Sequence, residues 1–343
     1  MADTPIGYAT VCAKGTDMTG IGLVGAGNWG GNWLRTLAGL PEVSLRWVCD
    51  LNEALLATIH GQHQAVRTTT QLDDLLRDPG VEGIVIAAIA PTHYPLARKA
   101  LEAGKHVMVE KPMTLTATDA VELNRLAAGL GRVLMVGHLM EYHPALPAIR
   151  KLIDSGEVGE VRRIESRRSN HGVLRTDESA WWSLAPHDIS MAVRLMGDWP
   201  VAIQCDGQNI IQPTVADVVG GTLRFPGNRL ARIDVSWHDP AKVRELKLYG
   251  SKKWVVFNDM LQWDRKVIVY DRGFDMDVTG QITTRRGAES ALPLDTTEPL
   301  VAEARHFVEC VRTGARPLSD GESGLAVVSV LEYGQKSLEA ARE

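Results

Sequence analysis

Short, continuously apolar runs alternate with segments of helical period along the first part of the chain. Ile21–Val24, Val43–Cys49, Gly83–Ala87, His106–Val109 and Val133–Val136 read as strands. Between them Asn28–Leu40, Asn52–His60, Leu72–Arg77, His93–Ala103 and Thr116–Ala128 read as helices. Strands without polar alternation belong to a parallel sheet covered on both faces. After a helix at Pro144–Asp154, a strand at Val161–Arg168 and a helix from Pro186 to Met196, the pattern changes. Val201–Ile211, Val218–Phe225, Leu230–Trp237, Val243–Gly250 and Lys253–Phe257 alternate apolar with polar residues. Turn residues such as Pro226-Gly227-Asn228 and Asp239-Pro240 separate them, the pattern of an antiparallel sheet with one face on a core. Glu298–Arg312 and Gly321–Ala341 return to helix. The expected class is α/β in two domains, 18–140 and 141–343, with residues 1–17 as an irregular extension and the last helices packing back on the first domain.

Composition narrows the function without naming it. The 343 residues are 45% hydrophobic and 23% charged, with a formal net charge of −5, which gives no support to a nucleic-acid or membrane-surface role. No apolar run is long enough to span a bilayer. Met1–Gly20 lacks the charged start and apolar centre of a signal peptide, and Met18 falls where the first strand begins, so a start at Met18 is compatible with the pattern. Cys12, Cys49, Cys205 and Cys310 are scattered, with neither zinc spacing nor a disulfide framework, and fit a reducing, cytoplasmic setting. No His/Asp/Glu spacing suggests a metal.

Gly25-Ala26-Gly27-Asn28-Trp29-Gly30 is a G-x-G-x-x-G sequence between a predicted strand and a predicted helix. In a Rossmann domain the first glycine permits the turn, the second lets a pyrophosphate approach the backbone, and the third lets helix and strand pack closely. Asp50 ends the second strand, 20 residues beyond Gly30. A carboxylate there receives ribose hydroxyls and repels a 2′-phosphate, so the expected cofactor is NAD rather than NADP.

Val109-Glu110-Lys111-Pro112 follows the next-to-last strand of this half. With Val136-Gly137-His138, Leu184-Ala185-Pro186-His187-Asp188-Ile189, Tyr249-Gly250-Ser251-Lys252 and Arg316-Pro317-Leu318-Ser319-Asp320-Gly321, it resembles the glucose–fructose oxidoreductase/inositol dehydrogenase family, Gfo/Idh/MocA. The resemblance runs from Met18 to the C-terminus and implies a Rossmann domain followed by an α/β domain with a large, open, mainly antiparallel sheet. It also implies a homodimer or homotetramer built through that sheet. The tryptophan-containing loop at 27–32, Ser169-Asn170-His171-Gly172, Arg175-Thr176-Asp177 and Trp182-Ser183 are similar to a subgroup acting on UDP-N-acetylglucosamine or its uronic acid at C3.

The resemblance implies roles residue by residue. Lys111 and His187 are the catalytic pair, with His187 as base and Lys111 polarising the alcohol oxygen; the reverse assignment uses the same residues. Gly25, Gly27, Asn28, Trp29, Gly30, Asp50, Ala88, His93, Glu110 and Lys111 are expected to face the cofactor. Tyr142, Asn170, Arg175, Trp182, Ser183 and His187 are expected to line the substrate pocket. His138 and His143 are read as structural or as supporting the residues that contact the ligands. Two positions depart from the pattern: Ser183 stands where many relatives carry Asp four residues before the histidine, and Ala88-Ile89 stands where Thr-Pro is frequent. His187 is expected at the start of a helix behind Pro186, and Ser183 is compatible with a helix cap.

The implied activity is NAD-dependent oxidation of a nucleotide-sugar alcohol to a 3-keto sugar. Two other readings fit the same residues: a dehydrogenase of a free sugar or inositol, and an NAD-binding regulator without catalysis.

Overall fold

A computed structural model of the chain describes residues 18–172, 174–176 and 178–340. The expected extension at 1–17, Cys12 within it, and Asp177 of the Arg175-Thr176-Asp177 motif lie outside those residues. The first sheet holds β1 (Thr19–Val24), β2 (Val43–Cys49), β3 (Arg67–Thr69), β4 (Gly83–Ile86), β5 (His106–Glu110) and β6 (Leu134–Gly137). All its pairings are parallel, in the order β3-β2-β1-β4-β5-β6 of a Rossmann fold. Its helices are α1 (Asn28–Gly39), α2 (Glu53–Gln62), α3 (Leu72–Arg77), α4 (His93–Glu102) and α5 (Ala117–Leu130). Local chemistry sets their ends: Asn52 and Thr116 accept the backbone N–H groups of Leu55 and Asp119 at 3.1 Å, and Gly131 closes α5 at φ 62°.

The chain then forms α6 (Ala145–Asp154), β7 (Val161–Ser169) and α7 (Ala180–Met196). The strands β8 (Ala202–Gln208), β9 (Val218–Phe225), β10 (Arg229–Ser236), β11 (Val243–Gly250), β12 (Trp254–Asn258), β13 (Val267–Met276) and β14 (Ile282–Ala291) complete an eight-stranded sheet. Its order is β14-β13-β12-β11-β7-β10-β9-β8, antiparallel except where β7 lies parallel to β10. Helix α7 covers one face, and its buried Trp181 seats in slots left by two glycines: a Cβ at Gly221 or Gly334 would lie 2.4 or 2.5 Å from the indole. The sequence reading missed β3, β13 and β14.

The helix carrying the expected base starts six residues earlier than its proline suggests. Ala180, Trp181, Ala185 and Ile189 bury one stripe of α7 in the second core, and that burial outweighs the hydrogen bond Pro186 removes. His187 is therefore mid-helix rather than at its start, and Ser179, not Ser183, holds the N-cap position.

Helices α8 (Pro299–Thr313) and α9 (Gly321–Ala340) return to the first sheet. Leu300, Ala304, Phe307 and Val308 share a core with Ile21, Leu23 and Trp33. Val328 of α9 joins the other Rossmann face, while Val327, Val330 and Leu331 join the core of the second sheet. Glu303 of α8 is fully buried with neither carboxylate oxygen partnered. Burial, reinforced by Glu110 and Glu141, holds its carboxyl well above the usual range. A carboxyl raised in the folded state favours protonation there, so its cost to stability grows as pH rises above the unfolded carboxylate's range, by about 1.4 kcal/mol per pH unit up to the folded value. Glu303→Gln is expected to raise the melting temperature at pH 8 by several degrees and much less at pH 5, measured by calorimetry at the two pH values.

Candidate active site

The glycine-rich turn fits a dinucleotide by its own geometry. Gly25 adopts φ 87° against Ala87, and a Cβ at Gly30 would lie 2.1 Å from the Gly25 carbonyl oxygen, so helix and turn are in direct contact. At Gly27 a Cβ would meet nothing within 4 Å, leaving the open approach a pyrophosphate needs. Gly27, Asn28 and Trp29 are exposed there at the start of α1. Asp50 holds the turn from β2: Oδ2 accepts the Ala26 N–H at 2.7 Å and Oδ1 accepts the Asn52 N–H at 2.9 Å. Arg46, the basic residue nearest it along β2, is tied to Asp78 at 3.2 Å. Leu51, which sequence reasoning passed over, and Ile89 are exposed apolar residues directly after Asp50 and Ala88 at the same edge of the sheet.

Glu110 ends β5, buried. Its carboxylate accepts the indole N–H of Trp33 at 2.8 Å and that of Trp29, fastening the first turns of α1 to the strand that leads to Lys111. Burial raises its pKa; the two indoles, Lys111 and His93 work against that rise. His93, at the first position of α4, is buried between two loops. Its Nδ1 lies 2.7 Å from the Pro112 carbonyl oxygen and its Nε2 3.0 Å from that of Ala88.

Lys111 reaches across to the second half of the chain. Its Nζ donates to the Ser183 carbonyl at 3.1 Å, beside the Trp182 carbonyl whose intrahelical partner Pro186 cannot supply. His187 stands four residues after Ser183, on the same face of α7 one turn further along. The ammonium is thereby brought near enough to the imidazole for its charge to act on it. Burial lowers the basicity of both; for His187 the charges of Arg168, Lys111, His138 and Arg244 push the same way. Glu110 and Glu178 partly offset the lowering at Lys111. With Ser183 in place of a carboxylate, Glu178 is the acid on the α7 side that acts on this lysine. It also pairs with Arg175 at 3.0 Å.

His138 lies close enough to Lys111 to feel its charge. Gly137 pairs with Glu110, so His138 and Lys111 leave adjacent parallel strands side by side. His138 is buried with neither nitrogen partnered, and burial together with Lys111 lowers its pKa to about 3. Nδ1 of His187 and Oδ1 of Asn170, just past β7, are also buried without partners. Asp188 points away from the cleft, buried against Ser166 and Arg168, whose Nε is 2.5 Å distant. Arg244 is the cross-strand partner of Arg168 and donates to the Ser169 and Val243 carbonyls at 3.0 and 2.8 Å.

One expected substrate residue sits elsewhere. Tyr142 is buried between β6 and α8, its hydroxyl 2.9 Å from Ser319 Oγ and its ring 5.6 Å from that of His306. Packing under the returning C-terminal helix takes it out of the cleft. Trp182 is half-buried against the core of the second sheet, one residue from fully buried Trp181. His143 is structural as expected: it pairs with Asp259 at 3.3 Å and stacks on Trp263.

Comparison with known proteins agrees with this architecture. Residues 19–138 match the NAD-binding Rossmann domain of the GFO_IDH_MocA oxidoreductase family, and residues 147–256 match a C-terminal domain of the same family. YdgJ, an oxidoreductase of Escherichia coli (strain K12), is 33% identical over 201 residues, a match spanning 56% of this chain and 57% of that protein. Inositol 2-dehydrogenase of Rhizobium meliloti (strain 1021) is 24% identical over 94% of this chain and 97% of its own. The structure of UDP-N-acetylglucosamine 3-dehydrogenase GnnA from Acidithiobacillus ferrooxidans superposes with a TM-score of 0.80 at 22% identity, covering 94% of this chain and 99% of that one. GenD2 from gentamicin A biosynthesis, solved with NAD, gives a TM-score of 0.79 at 24% identity over 99% and 98% of the two chains. The two family matches together span more than half of the chain, and with an NAD-binding Rossmann sheet joined to an eight-stranded second sheet it belongs to the Gfo/Idh/MocA family of oxidoreductases.

Proposed function

We propose that this protein oxidises the C3 alcohol of a nucleotide sugar, UDP-N-acetylglucosamine or its uronic acid, to a 3-keto sugar. The observation that carries the reading is the Lys111 ammonium seated on the Ser183 carbonyl, one helical turn from His187. NAD, when bound, supplies the hydride acceptor. The glycine turn, Asn28, Trp29 and the Ala88 backbone would hold it, with Asp50 at the ribose. Arg46 is already committed to Asp78, so this edge offers a carboxylate and no spare guanidinium to a 2′-phosphate, which supports NAD over NADP.

The chain's own groups divide the remaining work. His187, kept neutral by burial, takes the hydroxyl proton at a ring nitrogen. Lys111 keeps its charge and polarises the same oxygen. The unpartnered atoms of His138 and Asn170 suit a substrate rich in hydroxyls. Arg168 and Arg175 are paired with Asp188 and Glu178, while Arg244 donates to backbone carbonyls and adds a guanidinium that suits a diphosphate or a uronate.

A second reading, a free sugar or inositol as substrate, draws on the likeness to an inositol 2-dehydrogenase at equal identity and uses the same pair. A panel of UDP-sugars, free hexoses and inositols, followed by NADH absorbance, separates the two. Turnover confined to UDP-sugars supports the first, turnover of free polyols alone selects the second, and NAD binding with no turnover at all would return the regulator reading. Lys111→Ala and His187→Ala are each expected to lower kcat by roughly a hundredfold to ten-thousandfold while leaving NAD binding within about threefold.

With Lys111 acting as a cation, kcat/KM is level through neutral pH and falls on the alkaline side as the ammonium is lost. That fall comes below the ordinary lysine value of about 10.4 because burial lowers this group. A limb rising with pH over the same range would make Lys111 the base instead. Asp50→Ala is expected to weaken NAD binding about tenfold and to narrow the preference over NADP, read by fluorescence titration of both.

We also place self-association on the open face of the second sheet. Arg163 with Glu165 and Arg232 with Asp234 give that face both charge signs, as a two-fold contact between identical surfaces requires. Phe274, Met276, Val278 and Ile282 expose an apolar patch at the β13–β14 end. Light scattering should give two or four times the 37.5 kDa chain mass, and a 37.5 kDa particle at micromolar concentration would refute it.

A further inference from the structure

We infer that His93 is a positioning residue: by tying the Ala88 and Pro112 carbonyls together, it sets the backbone that presents Ile89 N–H to the dinucleotide and the side chain of Lys111 to the alcohol. The inference rests on the catalytic reading of Lys111 only in its second half; the first half needs NAD alone.

His93 does not face the cleft, as a cofactor ligand would. It is 1% exposed, and both ring nitrogens are engaged, at 2.7 Å to Pro112 O and 3.0 Å to Ala88 O. Those carbonyls follow β4 and β5, neighbouring strands in register at Ile86 and Val109. Their carboxyl ends form the edge where a Rossmann sheet receives its ligand. Carbonyl oxygens only accept, so the hydrogen bonds that hold these two loops are donated by ring N–H groups.

Two consequences follow from peptide planarity. With the Ala88 carbonyl turned inward to the ring, the N–H of Ile89 in the same peptide unit points the opposite way, toward the exposed edge where Ile89 itself is 71% exposed. This chain has Ala88-Ile89 at its β4 exit, with no hydroxyl to offer there, so a fixed backbone donor is what the segment can contribute. On the other strand, Lys111 is the residue immediately before the clamped Pro112, and its Nζ must span to Ser183 on α7. A shift of about 1 Å at Pro112 would misplace the ammonium, a displacement that can cost about a hundredfold in rate.

The test compares His93→Ala and His93→Gln with the parent protein. Gln keeps amide donors near the two carbonyls and serves as the conservative rescue. In the absence of NAD, amide hydrogen exchange in peptides covering 86–92 and 110–114 is expected to speed up about tenfold in His93→Ala and to return toward the parent rate in His93→Gln. NAD affinity, titrated by intrinsic tryptophan fluorescence, is expected to fall about tenfold in His93→Ala and less than threefold in His93→Gln. With a sugar that the parent turns over, His93→Ala should lower kcat about a hundredfold and leave KM for the sugar unchanged. Parent-like exchange and NAD affinity in a folded His93→Ala protein would overturn the proposal. Equal losses in the Ala and Gln variants would overturn it too, showing that packing rather than hydrogen bonding is what the ring supplies. The exchange and NAD measurements need no sugar, so they decide the clamp even where every sugar of the panel is inert.

Discussion

One bond across the cleft organises this protein: the Lys111 ammonium on a backbone carbonyl of α7. Taking an ammonium out of water is costly, and only a well-placed acceptor offsets that cost. Pro186 lies on the same turn and leaves the neighbouring Trp182 carbonyl without its intrahelical donor. The bond needs the last strands of the Rossmann sheet and the middle of α7 held at a fixed separation. The structure supplies this through the returning C-terminal helices and through side chains that brace the loops from below. Glu110 gathers two indoles from α1, and Asp50 pins the glycine turn with both oxygens.

Much of the architecture was legible because it rests on local rules. The inner Rossmann strands are mainly apolar, Gly25 and Gly30 stand where positive φ or close approach is required, and Asn52 and Thr116 are caps of the preferred kind. The strands β13 and β14 were invisible for the opposite reason. Residues such as Asp271, Arg272, Thr283, Arg285 and Arg286 keep both faces of the hairpin polar over much of its length, so no alternation marks it. The start of α7 was misjudged because proline prefers the first turn of a helix, and here the burial of Trp181 and its neighbours prevails.

The site was legible in its residue types and less so in their surroundings. Lys111 and His187 could be named from motifs, but nothing local says that they come near one another; that depends on contacts between distant segments. Tyr142 shows the reverse error, since an aromatic residue near the domain junction can belong to either side, and the Ser319 hydroxyl decides it. For His138 the motifs leave a structural and a supporting place both open, because a histidine after a strand is usually a satisfied core residue. Only its neighbours show that neither of its nitrogens is satisfied.

Helix α9 contributes Val328 to one core and Val327, Val330 and Leu331 to another. A single rigid rod therefore owes its burial to two sheets at once, and neither sheet can melt without stripping it of half its support. The two halves are thermodynamically married: heat should take the molecule apart in one cooperative event, and a chain cut before the rod would leave apolar surface open on both partners.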